Sequence, residues 1–180
     1  MKVYRCLICG DAYLGEHAPS RCPFCGAAED LILDTREFPE GDIHECNPNE
    51  TEKADLERAI QIELRNSRYY LGVSKREDND LLASAYKRLG KVEEEHLEIF
   101  CKMLKVDEPA EAGTPLEIGE TWCDDIAFSL AAEQEASDFY KEAAARAVDE
   151  RIKLVLDAVS AVEHDHILLD HLLAGIAGCE

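Results

Sequence analysis

IELRNSRYY, residues 62–70, returns seventy residues later as AEQEASDFY, residues 132–140. The two stretches share Glu63/Glu133, Ser67/Ser137 and Tyr70/Tyr140. At the same offset KVEEEHL (91–97) returns as AVEHDHI (161–167), sharing Val92/Val162, Glu93/Glu163 and His96/His166. Thirty residues separate the glutamates within each half, Glu63 to Glu93 and Glu133 to Glu163. Few residues repeat, and those that do are mostly acids, imidazoles and phenols.

Around these stretches apolar residues recur at spacings of three and four, the mark of helices with one face toward a core. Four helices are predicted, over about 52–75, 79–104, 120–146 and 150–175, with Asn49 or Thr51 capping the first. On the second, Leu82, Tyr86, Leu89, Val92, Phe100 and Met103 form the stripe. Polar turns at REDND (76–80) and near Asp149 close two hairpins. Residue 78 is midway between Glu63 and Glu93, and residue 148 midway between Glu133 and Glu163. In an antiparallel pair, residues equidistant from the turn sit at one height, here ~22 Å from it at ~1.5 Å per residue.

Glu93 and His96 are three apart and share a face, which continues the stripe through Leu89, Val92 and Phe100. Glu163 and His166 lie among Val159, Val162 and Leu169; Glu63 follows Leu56 and Ile60, and Glu133 follows Ile126 and Leu130. Burying four unpaired carboxylates costs several kcal/mol each, and no Lys or Arg occupies the stripes at this level. Metal cations are the economical compensation. Four carboxylates and two imidazoles suit two iron or manganese ions, with Glu63, Glu93, His96, Glu133, Glu163 and His166 as ligands. A lone ExxH on a helix is usually a surface accident; two, each matched to a glutamate at equal distance, are not. Tyr70 and Tyr140 lie two turns beyond their glutamates, placed either to donate hydrogen bonds to the carboxylates or simply to pack the core. His17, His44, His164 and His171 lack such support and read as solvated or structural.

The chain opens differently, with YRCLICGDAYLGEHAPSRCPFCG at 4–26. Cys6, Cys9, Cys22 and Cys25 form CxxC-x12-CxxC, the spacing of one tetrathiolate metal site. A segment of 1–37 is too short to fold unaided, since below ~40 residues a metal or disulfide is usually needed. Zinc and iron both fit. Gly10 and Gly26 follow the second cysteine of each pair, where the absence of a side chain lets backbone amides approach the sulfurs. Residues 38–51 read as a polar linker and 52–180 as the helical domain. Cys46, Cys101, Cys123 and Cys179 have no ligand spacing and read as free thiols in a cytoplasmic protein. The net charge of −20 argues against nucleic acid and anionic lipid. No apolar run spans a bilayer, and no secretory signal is visible.

The thiol-rich stretch resembles a short rubredoxin-type domain: Tyr4 before CxxCG, Tyr13 after it, then Pro19 and CPxCG. The helical part resembles the rubrerythrin-like branch of the ferritin superfamily through Glu63, Glu93/His96, Glu133 and Glu163/His166. With the rubredoxin-like module first, the order resembles that of reverse rubrerythrins. The resemblance implies a mainly α fold, a ferritin-like four-helix bundle preceded by a small rubredoxin-like metal knuckle. It implies a tetrathiolate iron, a di-iron site, and reduction of hydrogen peroxide or dioxygen with electrons passing through the thiolate iron. An NAD(P)H-linked reductase or a rubredoxin is implied as donor, and no GxGxxG fingerprint occurs in this chain to replace it. It also implies a homodimer. One departure stands out: peroxide-reducing members carry a further glutamate one turn after the third-helix ligand, and here that place is Ala136, matched by Asn66 in the first half. Such members also commonly have ExxE on the last helix, where this chain has Glu163 and His166. An iron-handling ferroxidase, and a non-enzymatic protein with a structural zinc knuckle, are the alternative readings.

The link 105–119 reaches ~50 Å when extended at ~3.3 Å per residue, and the second helix is ~39 Å long. The link can therefore run the length of the bundle, and a ferritin-type crossover is expected.

Overall fold

A computed structural model describes residues 1–179. Strands β1 (Lys2–Cys6), β2 (Ala12–Gly15) and β3 (Ile32–Asp34) form an antiparallel sheet in the order β2-β1-β3. Tyr4 of β1 faces Tyr13 of β2 and Asp34 of β3. Sequence periodicity does not announce these strands, because each is too short to show an alternation of its own. Four helices follow: α1 (Glu50–Val73), α2 (Asp80–Leu104), α3 (Trp122–Arg146) and α4 (Glu150–Ala177). None is long and apolar enough to cross a membrane.

The helix ends follow from their caps. Asn49, not Thr51, caps α1: its side chain accepts from the Thr51 and Glu52 amides, and the Glu52 carboxylate reaches back to the Asn49 amide. The helix therefore starts two residues before the expected position. Glu52 also accepts from the Val148 and Asp149 amides, 2.7 Å each, tying the start of α1 to the α3–α4 turn. Asn79, Thr121 and Asp149 cap the other three.

The α1–α2 and α3–α4 hairpins pack as expected, and residues 105–121 return along the bundle. Near its end the Leu116 amide donates to the Arg68 carbonyl, and Arg76, in the turn just after α1, donates to the Gly119 carbonyl. Helix α3 thus begins at the end of the bundle where α1 finishes, so α2 and α3 run parallel: the crossover arrangement. The same topology corrects one expectation. Cys123 and Cys179 are not free; they form a disulfide, their Cα atoms 5.4 Å apart. Their spacing of 56 residues hides the pairing, but the start of α3 and the end of α4 are at one end of an antiparallel pair. Cys46 and Cys101 are free.

The core is continuous from the knuckle into the bundle: Tyr4, Ile8 and Ile32 join Leu56, Leu97, Phe100 and Leu156 in one apolar cluster. Arg151 of α4 donates to the carbonyls of Leu7 and Ile8, 2.7 and 3.1 Å away. Gly26 abuts Val162 so closely that a Cβ would stand 2.7 Å from its Cγ1. The knuckle packs on the bundle of its own chain.

Candidate metal centres

Two turns build the first centre. The Gly10 amide donates to the Cys6 carbonyl at 2.9 Å and the Gly26 amide to the Cys22 carbonyl at 3.0 Å. Both glycines have left-handed backbones, φ 87° and 75°, which a side chain would strain. The four sulfurs are buried, with Cys6 and Cys25 Sγ 3.6 Å apart and Cys9 and Cys22 Sγ 3.8 Å apart. Metal–sulfur bonds of ~2.3 Å in a tetrahedron put sulfurs ~3.8 Å apart, so the knuckle fits a tetrathiolate metal as it stands. The sulfurs also share protons unevenly: contact with Cys22 draws the Cys6 thiol far down and drives Cys9 far up.

The second centre is where the four stripes meet. Glu63, Glu93, Glu133 and Glu163 are wholly buried, as is His96, and His166 is nearly so. Glu63, Glu93, His96 and Glu163 present ligand atoms within 4.8 Å of one another, and so do Glu93, Glu133, Glu163 and His166. Glu93 and Glu163 are common to both groups and lie between them. His96 Nδ1 stands 3.0 Å from Glu93, 3.2 Å from Glu163 and 3.9 Å from Glu63. His166 Nδ1 stands 3.0 Å from both Glu163 and Glu93 and 3.7 Å from Glu133. Donors ~2.1 Å from a first-row cation lie about 3 Å apart when cis and about 4 Å apart when trans.

Polar accounting supports cations here. Oε2 of Glu63 and of Glu133 is buried without a hydrogen-bond partner, and Oε1 of Glu93 and of Glu163 meets only an imidazole Nδ1 already hydrogen-bonded to another carboxylate. Buried acceptors are rarely left so. Without cations the cluster balances itself with protons. Burial opposes charge on His96, but hydrogen bonds to Glu163 and Glu93 outweigh it and hold its pKa well above the usual range. Burial likewise opposes charge on His166, and the nearby Glu93 carboxylate overcomes it. Burial, then repulsion from Glu163 and Glu93, pushes Glu63 well up; burial and repulsion from Glu93 do the same to Glu133. Glu163 and Glu93 are lowered despite burial, because the imidazoles bond to them. Four groups that resist losing a proton thus surround the positions two cations fit.

The tyrosines complete the cluster across the helix pair. Tyr70 of α1 donates to Glu133 of α3, and Tyr140 of α3 donates to Glu63 of α1. Burial and the adjacent carboxylates drive both phenol pKa values well up, so the hydroxyls keep their protons. Each phenol holds Oε1 and leaves Oε2 facing an imidazole.

All ten residues expected to ligate metal are thus brought into two buried clusters, which fit an iron tetrathiolate and a di-iron site. One contact between the clusters is not legible in the sequence. His96 Nε2 lies 2.9 Å from the Cys25 carbonyl. A carbonyl only accepts, so Nε2 carries the proton and Nδ1 is the atom turned to the carboxylates. The partner is a backbone oxygen, which no residue type signals.

Residues 4–31 match the family model described as the rubredoxin-like domain of rubrerythrin, and residues 55–169 match the rubrerythrin model itself. Reverse rubrerythrin-1 of Clostridium acetobutylicum is 29% identical over 127 residues, covering 66% of this chain and 70% of that protein. Among solved structures, the bacterioferritin BfrA of Mycobacterium tuberculosis aligns with a TM-score of 0.63 at 20% identity, over 72% of this chain and 87% of that one. KatB, a manganese catalase from Anabaena, aligns with a TM-score of 0.63 at 19% identity, over 78% of this chain and 80% of that one. At such identities the two structures establish the shared fold.

Proposed function

The chain belongs to the rubrerythrin family, and on that premise we propose that it is a non-haem peroxide reductase, with iron held by Cys6, Cys9, Cys22 and Cys25 and an iron pair held by Glu63, Glu93, His96, Glu133, Glu163 and His166. When bound, the iron pair would supply two electrons, one from each ion, which with two protons would convert hydrogen peroxide to two waters, and iron held by the four thiolates would supply one-electron redox chemistry to replace them. The residues prepare that chemistry. The Cys25 carbonyl accepts a hydrogen bond from His96 Nε2–H, fixing the tautomer and the ring plane. Tyr70 and Tyr140 hold Oε1 of Glu133 and Glu63, so each carboxylate presents one oriented oxygen. The buried surroundings exclude bulk water from the cluster.

The observation that carries the reading is the direct hydrogen bond between the two clusters. It gives a one-electron thiolate centre a short covalent and hydrogen-bonded path, Cys25 to His96, into the carboxylate cluster. An outside donor, an NAD(P)H-linked reductase or a rubredoxin, refills the thiolate centre, and the chain works as a homodimer. Ala136 supports a second reading, oxidation and retention of ferrous iron, because it leaves the cluster more symmetric than in members with a further glutamate there.

Stopped-flow mixing of the reduced protein with peroxide is the test. Rapid oxidation of the bundle iron followed by oxidation of the thiolate iron is expected, and Glu93→Ala or Glu163→Ala abolishes it with the thiolate spectrum intact. Slow reaction with peroxide, together with uptake of excess ferrous iron in air, would favour the second reading.

A further inference from the structure

The two hairpins are near copies, so a break in the copy inside the cluster points to a task that only one half performs. Tyr70 meets Glu133 and Tyr140 meets Glu63, so residues 66 and 67 of α1 and 136 and 137 of α3 stand at mid-height between those carboxylates. Ser67 turns its hydroxyl to the Leu64 carbonyl of its own helix, and Ser137 turns to the Ser160 carbonyl of α4. Asn66 and Ala136 remain, both wholly buried. Asn66 Oδ1 accepts from Nε of Arg65, whose guanidinium also bonds Glu135 of α3. Asn66 is therefore on the α3 side of α1, and by the repeat Ala136 is on the α1 side of α3. Both imidazoles come from the opposite wall, α2 and α4.

Asn66 Nδ2 has no hydrogen-bond partner. An amide donor buried unpaired destabilises the fold, since water has been removed and nothing replaces it. Oδ1 is already committed to Arg65, so the free end is the donor. Asn66 is one turn beyond Glu63 and one turn before Tyr70, on the face that α1 turns to the cluster, so the complement of its free donor is a small acceptor held by the cation pair on the wall that lacks imidazoles. We propose that Asn66 is a substrate-binding residue whose Nδ2–H donates to one oxygen of the bound peroxide. Opposite it Ala136 offers only a methyl group, so the two ends of the ligand meet different surroundings in an otherwise twofold cluster. This inference rests on the peroxide reading above.

Azide, a small anion with acceptor nitrogens at both ends, is the probe. Iron-loaded wild type and Asn66→Leu are titrated with azide and followed by the ligand-to-iron absorption band. Loss of one hydrogen bond to an anion is expected to weaken azide about tenfold. Iron content and thiolate spectrum stay unchanged, and the melting temperature of the metal-free variant is not lowered. The apparent KM for peroxide rises with the azide dissociation constant. Should Leu reduce iron loading, Asn66→Ser carries the same comparison at smaller volume. Equal azide affinity in wild type and variant, or a melting temperature that falls while affinity holds, would overturn the assignment and leave the reductase reading standing. A wild type that takes up iron yet neither binds azide nor reacts with peroxide would overturn the function itself.

Discussion

Loading the carboxylate cluster should release protons, and four of its groups are built to hold them. In the metal-free protein His96 and His166 are driven well above the usual imidazole pKa, and Glu63 and Glu133 well above the usual carboxyl pKa. These four groups hold their protons to higher pH than usual, while Glu93 and Glu163, drawn below the usual carboxyl range by the imidazoles, give theirs up more readily. Two cations ligated by all six residues must displace the protons, so uptake of the pair should release about four. Each proton is worth ~1.36 kcal/mol per pH unit, so affinity for the pair should strengthen by about 5 kcal/mol per unit while all four titrate. Stability of the metal-free fold runs the other way. Groups with raised pKa contribute stability that is whole at low pH and lost as pH climbs through their folded values. The metal-free bundle should therefore melt lower in alkaline solution, where the loaded bundle melts higher. Anaerobic calorimetry with ferrous iron, in buffers of different protonation enthalpy and with the knuckle already filled, counts the protons. Glu63→Gln and Glu133→Gln should each reduce the count by one. Release of one proton or fewer per pair would refute the account of how the empty cluster neutralises itself.

Gly26→Ala should part the knuckle from the bundle. A left-handed alanine costs ~1–2 kcal/mol, and its Cβ would stand 2.7 Å from Val162 Cγ1; slower re-reduction of the bundle iron through the knuckle is expected in stopped flow, with partial recovery in the Gly26→Ala/Val162→Ala double variant. An unaltered rate in the single variant would show that this contact does not govern the transfer. Cys123→Ser removes a crosslink over 56 residues, for which loop entropy gives at most ~4 kcal/mol. A clear drop in melting temperature is expected, equal to that of wild type in reductant; an unchanged melting temperature would mean the crosslink constrains nothing that the helix packing does not already hold.

The two side-chain clusters were open to reading because covalent geometry carries them. Coordination needs particular residue types, a helix brings i and i+3 to one face, and a hairpin brings equidistant residues to one height. Glu93 with His96, Glu163 with His166, and the partners Glu63 and Glu133 follow from spacing alone, as do the four thiols on their tight turns. The crossover followed from chain length. The three short strands and the α1 cap were less legible, since each depends on a few residues finding partners elsewhere.

What lay beyond the sequence was which groups on different elements meet. Tyr70 and Tyr140 each serve the glutamate of the other helix, because α1 and α3 run antiparallel with the two glutamates offset by two turns. Cys123 meets Cys179 because the antiparallel packing of α3 and α4 sets the start of one beside the end of the other. The joining of the two clusters uses the Cys25 carbonyl, a group every residue possesses. The free donor on Asn66 can be recognised only once packing has removed the water that would have satisfied it. Local spacing dictates which atoms can bind a cation; the packing of helices and knuckle decides which of them face one another, and which buried groups are left with a partner still to find.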